Sequence, residues 1–125
     1  LEHTISFNNS KDKINNRPLR HSSPLFGRLS LNYSKRKIKL GYNISYNGKK
    51  KLEDFSPSEL NKLYLYTQYG SPAWVTHNLF FKFNYNYFIN FDFGIDNIFD
   101  KYYRTYSSGI SAPGRNIRIG LNLKF

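Results

Sequence analysis

The chain has 125 residues, a formal net charge of +11, 18% aromatic residues (11 Tyr, 11 Phe), no Cys and no Met. Without cysteine there is no disulfide framework and no thiolate metal site. No stretch is apolar for the ~20 residues that a transmembrane helix needs, which excludes a helical span but not a barrel of strands.

Aromatic and polar residues are both in excess, while aliphatic core formers are few. The chain opens on Leu1 instead of Met and reads as a processed or partial piece of a longer polypeptide. Basic residues such as Lys11, Lys13, Arg17 and Arg20, the run from Lys35 to Lys39, and Lys49 to Lys51 are dispersed between apolar runs. They do not gather on one helix or stacking platform, which argues against a nucleic-acid partner.

In chain order, His3, Ile5 and Phe7 alternate with polar residues and open a first strand over about 1–8. Residues 9–24 are polar, charged and punctuated by Pro18 and Pro24, so they read as a long loop. Leu29, Leu31 and Tyr33 mark a second strand (25–34). After a short turn at Ser34-Lys35-Arg36, Ile38, Leu40, Tyr42, Ile44 and Tyr46 mark a third (37–47). Asn47-Gly48 is a hairpin signal, but Lys49-Lys50-Lys51-Leu52-Glu53-Asp54 is no return strand, so 48–76 is a second long loop. Within it Ser56-Pro57-Ser58-Glu59 forms a capping box that predicts a short helix from Pro57 to Leu65.

Leu79, Phe81, Phe83 and Tyr85 mark a fourth strand (77–85). A turn of two or three residues near Asn86 leads to a fifth (87–99) through Tyr87, Ile89, Phe91, Phe93 and Ile95. A third loop, 100–114, is rich in Tyr, Ser, Gly and Pro. The last strand, 115–125, alternates without a slip: Ile117, Ile119, Leu121, Leu123 and Phe125 against Asn116, Arg118, Gly120, Asn122 and Lys124.

Short turns thus alternate with long loops, the connection pattern of an outer-membrane barrel. Strands of ~10 residues, tilted ~45°, cross an apolar band of ~25 Å. The apolar faces carry large aromatics, and the sequence offers no amphipathic helix to cover them. In a bilayer they serve as lipid contact and interface girdle. Six strands cannot close a membrane barrel. The expected fold is therefore all-β: an antiparallel membrane β-barrel arc, not closed on its own, with two open edges.

Gly94-Ile95-Asp96-Asn97-Ile98-Phe99-Asp100-Lys101-Tyr102-Tyr103, then Ser108 to Asn116 with Pro113-Gly114-Arg115, then the strand to Phe125, resembles the C-terminus of TonB-dependent outer-membrane receptors. Asn97, Phe99, Asp100, Pro113, Gly114 and Arg115 carry the motif. Arg17-Pro18-Leu19 and Ser23-Pro24 resemble the family's loop leading into a descending strand. The resemblance covers residues 78–125 well and 1–77 loosely. It implies the last six strands of a 22-stranded barrel with a plugged lumen, integral to the bacterial cell outer membrane, with long loops outside and short turns in the periplasm. It implies import of a scarce nutrient such as an iron chelate, haem or cobalamin. The implied partners are the rest of the barrel and its plug, outer-membrane lipid, and the TonB complex reached through a missing N-terminal part. Arg118, Gly120, Leu123 and Phe125 resemble the signal read by the barrel-assembly machinery, whose physical sense is strand addition at an open edge.

No enzyme chemistry is expected, and no cofactor. His3, His21 and His77 lack metal-ligand spacing, and Ser107, Ser108 and Ser111 are expected to have no His partner nearby. Asp92, Asp96, Lys82 and Arg118 are expected to face the lumen, with the carboxylates paired to the cations. Ligand contacts would come from loop residues: Tyr102, Tyr103, Arg104 and Tyr106 in the last loop, and Trp74, with Tyr64, Tyr66 and Tyr69, in the second. Packing of the loops on themselves is the plainer role for these aromatics. Two other readings fit parts of the pattern. One is a fragment of another outer-membrane barrel, a porin or adhesin. The other is a soluble basic β-domain that binds polysaccharide or nucleic acid through Tyr and Lys.

Overall fold

The computed structural model describes residues 1–7, 10–15 and 17–125. Asn8, expected at the end of the first strand, and Asn9 and Asn16 of the first loop lie outside the described residues. The strands are β1 (Glu2–Ser6), β2 (Lys11–Asp12), β3 (Arg17–Pro18), β4 (Phe26–Lys35), β5 (Ile38–Asn47), β6 (Trp74–Asn84), β7 (Ile89–Asp96) and β8 (Asn116–Leu123). One helical turn, α1 (Pro57–Leu60), lies between β5 and β6.

β1, β4, β5, β6, β7 and β8 form one six-stranded sheet in that order, every neighbour antiparallel. β2 and β3 pair in a separate two-residue ribbon, inside a stretch expected to be loop throughout. The register aligns the alternation across the sheet. Tyr33, Leu40, Phe81, Phe93 and Ile119 sit side by side, as do Leu31, Tyr42, Leu79, Ile95 and Ile117. Ser34, Lys39, Lys82, Asp92 and Gly120 form a matching row on the opposite, polar face.

Among the described residues no layer packs on the apolar face. Leu31, Tyr33, Phe91, Phe93, Ile117, Ile119 and Leu121 are 36% to 83% exposed. Full burial of such a side chain is worth at most roughly 1.5–3 kcal/mol, and these partly exposed ones forgo a share of it each, so an apolar cover would stabilise this face. The buried hydrophobic residues among those described, Phe55 and Tyr106, lie in the loops and not under the sheet. β1 pairs through one side with β4, and β8 through one side with β7, so both edges of the sheet are open. The fold is the unclosed arc the alternation predicts.

Several boundaries differ from the sequence reading. β6 begins at Trp74, three residues before the expected start, because Trp74, Val75 and Thr76 stay in register with Asn47, Tyr46 and Ser45. β7 begins at Ile89 and not Tyr87, because the Asn86 side chain accepts the Phe88 and Ile89 amides at 2.9 and 2.8 Å and turns the chain outward. β7 ends at Asp96 rather than 99, because Asn97 (φ +50°) turns the chain out of the sheet. The hairpin after β4 turns on Arg36 (φ +48°) and Lys37; a positive φ at the first central residue matches the twist of the strands. The helix runs only from Pro57 to Leu60 and resumes as a tight turn at Leu63–Leu65, because Lys62 leaves helical geometry (φ −121°, ψ 33°).

Candidate functional site

The three long connections, 7–25, 48–73 and 97–115, emerge at one end of the sheet, while the short turns at 36–37 and 85–88 lie at the other. The long connections converge on the carboxylate of Glu59. Its Oε2 accepts the Tyr106 hydroxyl at 2.6 Å, and the backbone N–H and hydroxyl of Ser56, both at 3.1 Å. Its Oε1 accepts the His21 amide at 3.1 Å. One carboxylate therefore joins all three loops. The capping box places it there: Ser56 and Glu59 cap each other, and the remaining carboxylate lone pairs point to the other loops.

Around this hub Phe55 packs edge-on to Tyr66 (4.7 Å between ring centroids) and Tyr106 (5.6 Å). Lys50 places its ammonium 4.4 Å from the Tyr106 ring centroid and donates to the Ser22 carbonyl. Arg104 donates to the Leu65 carbonyl at 2.8 Å. The electrostatics follow from burial. Burial of Glu59 opposes ionisation, but its hydrogen bonds from Tyr106, Ser56 and His21 together outweigh this and hold the carboxyl below its ordinary value. Burial pushes the Tyr106 hydroxyl well above its ordinary value, and the Glu59 contact adds to the effect. Burial lowers Lys50, against the pull of Glu59 and Asp54.

Beneath the loops, against the polar face of the sheet, lies an open cavity of about 690 Å³. Its sheet wall is polar, with Thr4, Arg28, Asn43, Ser45, Thr76 and Asn78, and its roof includes Tyr103 and Tyr106. Trp74 lines it and lies 4.4 Å from Tyr103, ring centre to ring centre. Arg28 is exposed and forms no ion pair among the described residues. Amides, hydroxyls, a guanidinium and two rings tilted against each other at 43° can hold an organic ligand with a polar or acidic periphery. A second cavity of about 440 Å³ continues along the polar face past Phe80 and Arg118. The Phe80 ring lies on Gly41, where any added Cβ would overlap it.

The expected charge pairs form on that polar face: Lys82 with Asp92 at 3.6 Å, and Arg118 bidentate with Asp96 at 2.7 and 3.0 Å. The motif residues prove to be loop architecture. Asn97 is 4% exposed. Its side chain donates to the Lys101 and Pro113 carbonyls (2.9 and 3.2 Å) and accepts the Lys101 amide (2.9 Å). Asp100 accepts the Arg115 amide at 2.7 Å, and its carboxylate lies where a Cβ on Gly114 would sit. Phe99 is 70% exposed and meets the His77 ring edge-on at 5.0 Å.

The candidate ligand residues separate into two groups. Trp74, Tyr103 and Tyr106 line the cavity. Tyr102, Tyr64 and Tyr69 are exposed at the loop surface, with Tyr102 held by Ser111 at 2.7 Å. Arg104 braces the loops. Leu123 and Phe125 lie exposed at the open edge, with Arg118 and Gly120 beside them in β8. Glu59, Lys50 and His21 were not anticipated as a cluster, and the expectation that Ser107 has no His partner is corrected: the converging loops bring His21 Nδ1 to 2.5 Å from the Ser107 hydroxyl, across 86 positions of sequence; the one available signal was the capping-box carboxylate. Among the described residues no three His, Asp or Glu side chains gather to hold a metal ion.

The fold thus defines an open antiparallel arc with one apolar face, one polar face and a loop-roofed cavity. No family model matches the sequence, and no curated protein matches it. Among solved structures it is similar to copper transporter OprC, with a TM-score of 0.77 over 98% of this chain at 17% identity. The chain spans 20% of that protein's length. The likeness is one of fold.

Proposed function

We propose that this chain is the C-terminal arc of the barrel of a TonB-dependent transporter in the bacterial outer membrane. The observation that carries the reading is the uncovered apolar face of a sheet with two open edges. Lipid covers such a face, and flanking strands of a larger barrel pair with such edges. The fold likeness to a transporter several times longer supports the same reading. The polar face then lines the lumen against a plug, the long loops face outward, and β8 with Phe125 serves the barrel-assembly machinery as an edge for strand addition. The role is binding and passage, not catalysis.

The cargo is a scarce nutrient carried as an organic chelate, such as a siderophore, haem or cobalamin. The cavity favours this over a bare copper ion: Arg28, Trp74 and Tyr103 offer a guanidinium and ring faces, which suit the periphery of an organic molecule.

Membrane fractionation with an antibody to residues 48–76 tests the reading. The expected result is a polypeptide several times larger than this chain, extracted from the outer membrane only by detergent. A soluble polypeptide of this chain's own size overturns it.

A further inference from the structure

Among the described residues, the short-turn end of the sheet carries a cationic and aromatic rim with no side-chain carboxylate. Lys35 lies beyond Tyr33 on the apolar side of β4, and Arg36 and Lys37 form the following turn. Lys124 follows β8 and donates its amide to the Phe88 carbonyl at 2.9 Å. None of these four cations forms an ion pair among the described residues. The side-chain carboxylates lie elsewhere: Asp12, Glu53, Asp54, Glu59 and Asp100 at the long-loop end, Glu2 in the outermost strand β1, and Asp92 and Asp96 on the polar face against Lys82 and Arg118.

The turn between β6 and β7 supplies the aromatic part. Tyr85, Tyr87 and Phe88 are 54%, 76% and 56% exposed. The neighbouring strands hold a lysine against this turn from each side. The Lys37 ammonium lies 5.8 Å from the Tyr85 ring centroid, and the Lys124 ammonium 5.4 Å from that of Tyr87. Lys37 gives one N–H to the Tyr85 carbonyl at 2.7 Å; an ammonium has three, so two remain for an anion. Ring contacts hold the long lysine side chains in place and lower the entropy lost when an anion binds.

We infer that this rim is a docking site for the headgroup of an anionic glycerophospholipid in the leaflet at the short-turn end. The inference rests on the membrane reading above. Tyr and Phe seat at the headgroup level, the stem of Lys35 runs along the apolar side to the interface, and the Lys37 and Lys124 ammoniums, held against Tyr85 and Tyr87, meet a phosphodiester whose charge no side-chain carboxylate of this rim matches.

The test uses the full-length protein in nanodiscs of mixed phosphatidylglycerol and phosphatidylcholine, released for native mass spectrometry. The wild type is expected to retain phosphatidylglycerol preferentially, with retention falling as salt is raised. The Lys37→Gln/Lys124→Gln variant should lose that preference by about fivefold per lysine, with phosphatidylcholine retention unchanged. Lys49→Gln/Lys51→Gln, which removes the same charge from the long-loop end, should retain phosphatidylglycerol as the wild type does. Equal loss in both variants, no loss in the first, or salt-independent retention by the wild type overturns the inference. So does preferential retention of added lipopolysaccharide through Lys37 and Lys124, which would assign the rim to the other leaflet. Failure to enter nanodiscs at all would instead overturn the membrane reading, and the rim with it.

Discussion

The Tyr106 hydroxyl donates to Glu59 Oε2 at 2.6 Å, tying the last loop to the capping box of the second. A hydrogen bond to a charged acceptor contributes about 1.5–3 kcal/mol. Tyr106→Phe keeps the ring against Phe55 and Lys50 and removes this bond alone. It is expected to weaken hydrogen-exchange protection of the Lys50, Glu59 and Ser71 amides by that amount and to leave the strand amides unchanged. Glu59→Ala, which frees donors on all three loops, should act on the same amides more strongly. Equal loss of protection in β5 and β6 would show that the loops and the sheet unfold together.

The same carboxylate sets a pH dependence. Glu59 is held below its ordinary value of 4.5 in the folded loops by hydrogen bonds that outweigh its burial. A depressed folded pKa means that the stabilisation is complete above the unfolded value and is lost as pH falls through the folded one. Loop protection should therefore be constant from neutral pH down to about pH 5 and decline in more acid solution, and Glu59→Gln should abolish the decline. Protection that falls between pH 7 and 6 would point to a histidine instead.

Asn97 combines a positive φ of 50° with hydrogen bonds that close the last loop. Two substitutions separate these roles. Asn97→Gly loses the side-chain bonds but adopts the backbone freely. Asn97→Ala loses the bonds and adds roughly 1–2 kcal/mol for the left-handed conformation. Both variants are expected to expose residues 97–114 to limited proteolysis, Ala more than Gly. An order of Gly worse than Ala would mean that chain flexibility, not the hydrogen bonds, governs this loop.

The Arg118–Asp96 pair on the polar face is well formed, but both side chains are solvent-accessible. Exposed pairs contribute little to stability. Asp96→Asn should leave the thermal midpoint of the assembled protein unchanged. A clear fall would mean that a segment outside this chain buries the pair.

The sheet was legible in the sequence because a strand with one wet and one apolar face writes its period into the residues. Leu40, Phe81, Phe93 and Ile119 each fall in an alternating run, and the register sets them side by side. The pairing of Asp92 and Asp96 with Lys82 and Arg118 followed from the same alternation. Strand ends were less legible where one side chain redirected the chain, as Asn86 does before β7 and Asn97 after it. The loop cluster was hidden. Glu59 meets residues 38 and 47 positions away in loops without periodicity, and only its local partner Ser56 could be anticipated. Tyr103 and Tyr106 line the cavity and Tyr102 does not, and no pattern in the sequence separates the three.

Phe125 lies beyond β8, fully exposed, on the apolar side of an open edge. A side chain that touches so little contributes little to the folded sheet, so its removal should not lower the melting temperature of protein that has assembled. If the edge is what the assembly machinery grips, Phe125→Ala should instead lower the amount of assembled barrel in the outer membrane, with unassembled chain degraded. The two readouts together decide the matter. Reduced yield at unchanged melting temperature assigns Phe125 to recognition during assembly. Reduced yield with reduced melting temperature assigns it to lipid contact in the finished barrel. Unchanged yield removes the signal role and leaves β8 an ordinary edge strand awaiting its neighbour.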